Sequence, residues 1–380
     1  MTIKLSRGNI FPACHQTQGG SMSTKAKRVI KITGISIITV LLVLVLGLYA
    51  MFHNEVATIN SIDKLNDYPL YQMDYKGDYG FDSFLETGAS NDKELVDFVV
   101  KRLLKGLPIE INIPSLGCST FSAENENGNR IFGRNFDLTY SPGMMVKTTP
   151  DDGYASISMV NLAFLGYGEK KLPDSFTKSI TALAAPYAPL DGINEKGLTV
   201  GVLLIPTEET NQQTDKVDIT TTTAIRMMLD KCATVEEAVA MLKKYDMHSS
   251  ANSCYHFHIA DKSGDSVVVE YINNEMKLVE PKDSYQAATN FLLTPGDYDF
   301  GKGQDRYKTL MTTLKKNKGV ISNKEAMNLL KAVSQKEHKT ESGRLSSTQW
   351  SVVYDTKELS ATISMGMDFS KTYKISLNEK

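Results

Sequence analysis

The chain has 380 residues, of which 41% are hydrophobic and 23% are charged, and its formal net charge is −2. These proportions are those of an ordinary globular protein, and the near-neutral charge excludes the strongly basic surface of a nucleic-acid-binding protein. The four cysteines, Cys14, Cys118, Cys232 and Cys254, have no CxxC spacing and are too few to form a disulfide framework in a chain of this length. A pairing between Cys232 and Cys254 stays open.

Residues 32–52, ITGISIITVLLVLVLGLYAMF, carry no charge. At about 1.5 Å of rise per residue, a helix of this length spans about 30 Å, the thickness of the hydrocarbon core of a membrane. Lysine and arginine side chains precede the segment and Glu55 follows it. The positive-inside rule then puts residues 1–31 in the cytoplasm and the rest of the chain outside. We therefore predict a transmembrane anchor at 32–52 and an extracellular body.

A cleaved secretory signal is the alternative, with Met22 as the true start and cleavage after Ala50. The apolar run exceeds the roughly 7–15 residues of a signal-peptide core, which favours an uncleaved anchor. Both interpretations place the body of the protein outside the cytoplasm. If the anchor were removed, the protein would be secreted.

The region 53–117 is predicted to be a stalk or propeptide-like segment with one helix. Residues 53–90 are rich in Asp, Asn, Tyr and Gly and show weak periodicity, which indicates a loosely structured stalk. In residues 91–105 the apolar side chains recur at helical spacing. Gly106 and Pro108 are helix stop signals, so this helix is expected to end there.

From residue 118 the pattern changes to strands and tight turns. Alternating side chains around the turn ENGN predict a hairpin over 119–138. Further along the chain we predict a turn and an apolar strand at 191–206, two helices in 220–246, a strand meander at 254–280, a helix at 323–336 and a closing hairpin at 349–367. This order of elements predicts a layered α+β domain over residues 118–380.

Cys118 has the surroundings of a nucleophile. A free thiol has a pKa of about 8.5 and needs a base or a positive charge nearby to react as thiolate. The cysteine's own α-amine, with a pKa of about 7.7–8.0, is a suitable base. That amine is free only if the Gly117–Cys118 bond is cut, so such an enzyme would be made as a precursor. Gly117 has no Cβ to obstruct attack on its carbonyl carbon.

Arg134 and Asp137 return towards Cys118 on the second strand of the predicted hairpin. A guanidinium group there would favour the thiolate, and a carboxylate could hold or orient the freed amine. The alternative is that Cys118 is a small core residue and that Arg134 and Asp137 form a surface ion pair. The residues alone leave both interpretations open.

The stretch CSTFSAENENGNRIFGRNFD, residues 118–137, resembles the start of the mature choloylglycine hydrolase family. This family of N-terminal-nucleophile hydrolases includes conjugated bile salt hydrolases, penicillin V acylases and related linear-amide hydrolases. The resemblance extends to about residue 365 through several ordered segments: DGINEKGLTVGVLLIP, HFHIADKSGDSVVVEYINNEMKLVE, ATNF, GQDRYKTL and QWSVVYD. It implies an αββα four-layer sandwich, here preceded by the transmembrane helix.

The resemblance also implies a site and an activity. It assigns Cys118 as nucleophile, with Arg134 and Asp137 assisting, Asn290 in the oxyanion hole and Arg306 as a further cation. The implied activity is hydrolysis of a linear, non-peptide amide of a small N-acyl substrate through an acyl-thioester, after autocleavage at Gly117–Cys118. No metal or cofactor is expected. Family members often assemble into tetramers, so a homo-oligomer is implied.

One position departs from the family. Where bile salt hydrolases carry Asn and penicillin V acylases carry Tyr, this chain has Leu204. If the position lends its backbone N–H to the oxyanion hole, any side chain is compatible with catalysis. The side chain would face the substrate, so neither named substrate class follows from the resemblance. An apolar residue there would suit an acyl chain, which is our hypothesis.

Other interpretations compete with this one. Cys254, His256 and His258 share one face of a predicted strand, a geometry that zinc ligands can use. A papain-like pair of Cys118 and His256 is another arrangement. If the Gly117–Cys118 bond is never cut, the domain would be a silent binding or sensing module. Acyl transfer to an amine, through the same thioester, is the last alternative.

Overall fold

The computed structural model of the chain describes residues 23–106, 117–340 and 343–378. Cys14, Met22 and Pro108, which entered the sequence predictions, lie outside the described residues. The chain divides into two compact units, one up to His53 and one from Asn54 onward.

Helix α1, Thr24–Asn60, contains the predicted apolar segment. Among the described residues, one helix is long and apolar enough to cross a membrane, over Thr24–Gly47. A signal sequence near the N-terminus satisfies the same criteria of length and composition. The helical state of the segment is therefore confirmed, whereas its membrane anchoring and the side on which the body lies stay predictions.

The second unit is built from helices and strands in alternating groups. Its α-helices are α2 Phe81–Thr87, α3 Asp92–Arg102, α4 Phe176–Ser179, α5 Thr221–Lys231, α6 Val235–Leu242, α7 Gln304–Lys316 and α8 Asn323–Ala332. Short 3₁₀ helices occupy Leu162–Leu165, Ile180–Tyr187 and Ser250–Asn252.

The strands run from residue 63 almost to the end of the described chain. They are β1 Asp63–Asn66, β2 Leu70–Asp74, β3 Gly117–Glu124, β4 Arg130–Leu138, β5 Gly143–Thr148, β6 Ser156–Asn161, β7 Pro189–Asn194, β8 Thr199–Ile205, β9 Val217–Thr220, β10 Tyr245–His248, β11 Cys254–Ala260, β12 Ser266–Ile272, β13 Glu275–Val279, β14 Gln286–Ala288, β15 His338–Lys339, β16 Leu345–Asp355, β17 Ser360–Met365 and β18 Tyr373–Ser376.

Two large sheets organise the second unit. One has nine strands in the order β1-β2-β5-β6-β7-β8-β11-β12-β13. The other has the order β14-β3-β4-β16-β17-β18, with β15 paired to β16. Strands β9 and β10 form a separate parallel pair. Apart from β2–β5 and β9–β10, the strand pairs are antiparallel, which allows the short hairpin connections seen along the chain.

The two large sheets face each other, and helices cover their outer faces. Helices α5 and α6 pack on the nine-stranded sheet, and α7 and α8 pack on the other sheet. Between the sheets, the ring of His258 on β11 lies 4.9 Å from that of Phe132 on β4, centroid to centroid. Strands in this interior are buried on both faces, which explains why β7, β8 and β11 have no exposed residue.

Several sequence predictions are confirmed from residue 118 onward. The first hairpin is β3–β4, the meander is β11–β12–β13 and the closing hairpin is β16–β17. The helices predicted in 220–246 are α5 and α6, and the Thr234 side chain caps α6 by accepting a hydrogen bond from the Glu237 N–H. The segment 191–206 holds two strands rather than a turn and one strand, and α7 has no counterpart among the sequence predictions.

The loosely structured stalk predicted over residues 53–90 is wrong. Strands β1 and β2 join the nine-stranded sheet, and β2 pairs in parallel with β5. Periodicity is weak because Leu70, Tyr71 and Met73 are buried on both faces of one strand. Helix α3 confirms the predicted helix at 91–105, but α2 precedes it, so the region has more than one helix.

The cysteine pairing that the sequence left open is not formed. Cys232 and Cys254 are both free and buried. Cys232 follows α5 as its C-cap, and Cys254 begins β11.

We predict that His258 makes the fold acid-sensitive. Burial, and then the neighbouring His256, lowers the pKa of His258 from 6.5 to about 3. Its ring nitrogens lie 2.8 Å from Thr120 Oγ1 and 3.0 Å from Ser266 Oγ, so the neutral ring is satisfied between the sheets. Between about pH 6.5 and pH 3 the unfolded chain binds a proton that the folded chain does not. As the pH falls through this range, this one group should lower the free energy of unfolding by roughly 1 kcal/mol for each pH unit.

Chemical unfolding at several pH values checks this prediction. His258→Gln should show a shallower loss of unfolding free energy below about pH 6.5. The matched control is His338→Gln, because His338 is exposed and should leave the slope unchanged. Equal slopes in wild type and His258→Gln would contradict the prediction.

Candidate active site

The β3–β4 hairpin brings Cys118 and Arg134 together. In its register Cys118 pairs with Phe136 and Thr120 pairs with Arg134, so Arg134 is a diagonal neighbour of Cys118 on the same face of the sheet. Arg134 Nη2 lies 3.4 Å from Cys118 Sγ, and both side chains are fully buried. Arg134 and Asp137 are both buried, so the alternative that they form a surface ion pair is wrong.

Arg134 is fixed from the opposite sheet. Its Nε lies 2.6 Å from Asp191 Oδ2 on β7, and its Nη1 donates to the Val202 carbonyl on β8 at 2.5 Å. The Tyr354 hydroxyl also donates to Asp191, at 2.5 Å. Because Nε and Nη1 are held in this way, Nη2 is left aimed at the sulfur atom.

Asp137 lies on the other face of β4, which is covered by helices. Side chains alternate along a strand, so residues 134 and 137 point to opposite faces. Asp137 accepts hydrogen bonds from Thr348 Oγ1 at 2.5 Å and from Gln335 Nε2 at 2.6 Å. Arg306, near the start of α7, lies 3.3 Å from Asp137 and donates to the Cys118 carbonyl at 2.6 Å. Asp137 is thus linked through Arg306 to the backbone of Cys118.

Asn290 sits at the backbone nitrogen of Cys118. The Cys118 N–H donates to Asn290 Oδ1 at 2.8 Å, and Arg306 Nη2 donates to the same oxygen at 2.9 Å. The Asn290 side-chain amide donates to the Leu204 carbonyl at 2.9 Å. The structure therefore brings together the residues that the family resemblance assigned to the site: Cys118, Arg134, Asp137, Leu204, Asn290 and Arg306.

Two glycines allow this packing. A Cβ at Gly117 would lie 2.9 Å from Gln335 Nε2 and 3.2 Å from Asp137 Cβ. Gly303, before α7, has a φ of 91°, and a Cβ there would lie 2.5 Å from Arg306 Nη2. Side chains at these positions would displace the groups that hold Asp137 and Arg306.

The electrostatics keep the Cys118 thiol neutral while the Gly117–Cys118 bond is intact. Burial raises the pKa of the Cys118 thiol to about 11, and Asp137 adds to the rise, whereas Arg134 and Arg306 oppose it. Burial also raises the pKa of the Asp137 carboxyl, with Arg306 opposing the rise. Two cations alone are therefore insufficient to produce a thiolate at neutral pH, and a base is needed.

A cleft of about 1350 Å³ opens beside the site. Gly117, Leu204, Asn290 and Arg306 are among the residues that line it. The apolar side chains Leu138, Pro206, Phe300 and Val333 contribute to its wall, together with Lys336, Lys339 and Arg344. A molecule in this cleft would reach the residues around Cys118 and would meet both apolar and basic groups.

The competing cysteine and histidine arrangements do not form. Both ring nitrogens of His256 are engaged, Nδ1 at 3.3 Å from Glu270 Oε1 and Nε2 at 2.8 Å from the Thr289 carbonyl. This leaves neither nitrogen for Cys118. His258 bonds to hydroxyl groups, as described above, so Cys254, His256 and His258 do not converge. Within residues 23–106, 117–340 and 343–378 there is no group of three His, Cys, Asp or Glu residues that could hold a metal ion.

Sequence reasoning missed the residues that support the site. Asp191 lies in the quoted DGINEKGL segment, and a carboxylate at the start of an apolar strand was a signal that it has a buried cationic partner. Tyr354 also lies in a quoted segment, but nothing in its pattern indicates its bond to Asp191. Gln335 and Thr348 carry no signal, because their contacts with Asp137 depend on how α8 and β16 pack on β4.

We predict that the uncut chain reacts with iodoacetamide at Cys118 only at high pH. The neutral thiol should give a labelling profile with a midpoint near the pKa of about 11. Peptide mass spectrometry of native chain labelled at several pH values follows the label on the peptide that still spans the Gly117–Cys118 bond, with Cys118→Ser as the background. A midpoint near 8.5, about that of a free thiol, would contradict the electrostatic picture.

Comparisons with known proteins indicate the family that part of this chain resembles. Residues 118–300 match the sequence model of the linear amide C–N hydrolases, choloylglycine hydrolase family. A penicillin V acylase from Pectobacterium atrosepticum is 32% identical over 111 residues, which are 26% of this chain and 29% of the acylase. The matched part of this chain thus spans less than a third of that relative.

Solved structures give the same result for the fold. Two variants of the conjugated bile acid hydrolase from Clostridium perfringens each match with a TM-score of 0.52 and 17% identity. The match covers 69% of this chain and 93% of the hydrolase chain in each case. The mixed α/β fold of the second unit is therefore the fold of that hydrolase. With the family match at the hairpin that carries Cys118, residues 118–300 belong to the choloylglycine hydrolase family of linear amide C–N hydrolases.

Proposed function

We propose that this protein hydrolyses the linear, non-peptide amide bond of a small N-acyl substrate through a thioester on Cys118. The base is the α-amine of Cys118, which autocleavage at Gly117–Cys118 releases. Arg134, Asp137, Asn290 and Arg306 assist, and the αββα layers of residues 118–380 form the catalytic domain. The observation that carries the proposal is the buried contact of Arg134 Nη2 with Cys118 Sγ at 3.4 Å, beside a backbone nitrogen held by Asn290.

Activation follows from the chemistry of adjacent groups. The Cys118 thiol adds to the Gly117 carbonyl carbon, the C–N bond breaks, and the peptide becomes a thioester with a free amine. Water then hydrolyses the thioester, which leaves a Gly117 carboxylate and regenerates the thiol. Arg306, which donates to the Cys118 carbonyl at 2.6 Å, holds the backbone on the far side of the bond that breaks.

Turnover uses the same sulfur. The freed amine takes the thiol proton as the sulfur attacks the substrate carbonyl carbon. The proton passes to the leaving amine, and water cleaves the acyl-thioester to release the acid. Arg134 stabilises the thiolate, and Asn290 donates from its amide to the oxyanion, a contribution of roughly 3 kcal/mol for one well-placed donor.

Location and assembly are part of the proposal. The apolar helix at residues 32–52 would anchor the protein, with residues 1–31 in the cytoplasm and the catalytic domain outside. The length and composition of α1 support the anchor, and the lysine and arginine side chains before the apolar segment are the basis for its proposed orientation. A homo-oligomer is proposed from the family resemblance.

The main alternative is a silent binding or sensing module whose Gly117–Cys118 bond stays uncut. The neutral, buried thiol of the uncut chain is compatible with it, so the state of this bond discriminates between the two. Acyl transfer would share the thioester but would yield a new amide when an amine acceptor is supplied.

We expect the mature catalytic chain to begin at Cys118. Edman sequencing and intact-mass measurement of the purified protein check this terminus. Cys118→Ala should remain a single chain and should lose hydrolysis of N-acyl amino acids, bile conjugates and phenoxyacetyl amides. Cys232→Ala is the matched control, because this buried cysteine lies after α5 and should leave cleavage and turnover intact. An uncut wild-type chain would support the binding module, and amide hydrolysis by an uncut chain would contradict the mechanism.

We expect Leu204 to select the acyl group. It lines the cleft, and its apolar side chain should favour aliphatic acyl chains. Leu204→Asn and Leu204→Tyr should lower kcat/KM for such substrates relative to the other classes by about tenfold or more, since an apolar contact in a pocket is worth about 1–3 kcal/mol. Leu345→Asn, at an exposed leucine, is the control. Unchanged relative kcat/KM values across the panel would contradict this role.

A further inference from the structure

We propose that residues 54–106 stay bound to the chain from Cys118 onward after the Gly117–Cys118 bond is cut. The mature protein is then a complex of two chains, and the N-terminal chain links the catalytic domain to α1. This inference rests on the proposed function for the cleavage itself. The retention depends only on contacts within the second unit.

The first contact is a strand inside the nine-stranded sheet. Strand β2 lies between β1 and β5, and residues 70–74 pair in parallel with residues 143–147. Backbone bonds continue beyond the strand, since the Tyr75 N–H donates to the Lys147 carbonyl at 2.8 Å and the Gly143 N–H donates to the Pro69 carbonyl at 2.8 Å. Loss of the segment would expose the β5 edge to water.

The second contact is an aromatic cluster across the cut. The ring of Tyr187, which belongs to the catalytic part, lies 5.7–6.3 Å from four rings of the segment, centroid to centroid: Tyr79, Phe81, Phe84 and Phe98. Tyr79 and Phe84 are fully buried. Dissociation would expose this cluster on both pieces, which the hydrophobic effect opposes.

The third contact is a buried polar network. The Tyr79 hydroxyl donates to Asp230 Oδ2 at 2.6 Å, and Arg226 Nη1 lies 2.9 Å from Asp230 Oδ1. Arg226 and Asp230 are almost fully buried. The Tyr187 hydroxyl donates a hydrogen bond to the Tyr79 carbonyl at 2.9 Å. Without the segment, the Asp230 carboxylate would lose the bond from Tyr79 and keep the one from Arg226.

Hydrogen bonds to β16, to β9 and to the 3₁₀ helix Ser250–Asn252 hold the segment as well. The Tyr68 hydroxyl donates to Gln349 Oε1 at 2.7 Å. The Ala251 N–H donates to Asp92 Oδ2, and the Ala89 N–H donates to the Asp218 carbonyl, both at 2.9 Å. The attachment is therefore distributed over β2, α3 and the connections between them, as in a domain core rather than a removable propeptide.

The test uses the full chain in detergent, immobilised by an affinity tag at its N-terminus. Denaturing gels measure the fraction of the chain that is cut. The resin is then washed, and the amount of catalytic piece that stays bound to the tagged N-terminal piece is measured. A second arm carries Cys118→Ala and a site-specific protease sequence inserted after Gly106, so that the chain is cut artificially. Both pieces should remain together in each arm and should separate only in denaturant.

Two variants probe the interface. Tyr79→Phe removes the bond to Asp230 and should speed release of the cut piece roughly tenfold to a hundredfold, because a hydrogen bond to a charged group is strong. Tyr373→Phe, on the edge strand β18, is the matched control and should leave release unchanged. If Tyr79→Phe does not fold, Tyr68→Phe makes the same test at Gln349.

The outcomes separate the two proposals. An uncut wild-type chain with a retained piece in the protease arm contradicts the proposed function but supports retention. Prompt release of the catalytic piece in either arm overturns retention. At a denaturant concentration that slowly separates the wild-type pieces, a release rate that Tyr79→Phe and Tyr68→Phe both leave unchanged also overturns it, because the contacts named above would then not hold the pieces together.

Discussion

The buried ion pair of Arg134 with Asp191 is the interaction on which the site depends. It joins β4 of one sheet to β7 of the other and leaves one edge of the guanidinium group at the Cys118 sulfur. Removing one partner from such a pair usually costs about 3–5 kcal/mol, because the remaining charge is buried without compensation. The same contact therefore joins the two sheets and holds in place the guanidinium group whose positive charge would stabilise a thiolate.

In the uncut chain the side chains of the site are already in place, but the Cys118 thiol is held in its neutral form. The sulfur lies near two cations, yet burial holds its pKa well above the physiological range. The Cys118 nitrogen, already held by Asn290, is an amide and cannot act as a base. In the proposed activation, cutting the Gly117–Cys118 bond would change that nitrogen into an amine beside side chains that are already in place. Activation in this scheme is a change of chemistry at a preorganised site rather than a rearrangement of the fold.

The sequence predicted local structure well where neighbours along the chain decide it. The β3–β4 hairpin follows from alternation around the turn ENGN, and its period of two carries Arg134 to the sulfur. The same period of two puts Asp137 on the opposite face of β4. This follows from the spacing of residues 134 and 137, but the sequence analysis did not predict it. Asn290 and Arg306 entered only through the family resemblance, since no local pattern relates them to Cys118.

By itself the sequence indicated the family of residues 118–300 and the apolar helix near the N-terminus, and it predicted Cys118 as nucleophile, because each of these depends on residues adjacent in the chain. Tertiary structure alone decided that residues 63–74 contain strands of the main sheet, that Asp191 holds Arg134, and that Thr348 and Gln335 hold Asp137. The physical reason is that strand pairing and buried charge compensation join groups far apart in sequence. Their energies arise only when the sheets and helices pack.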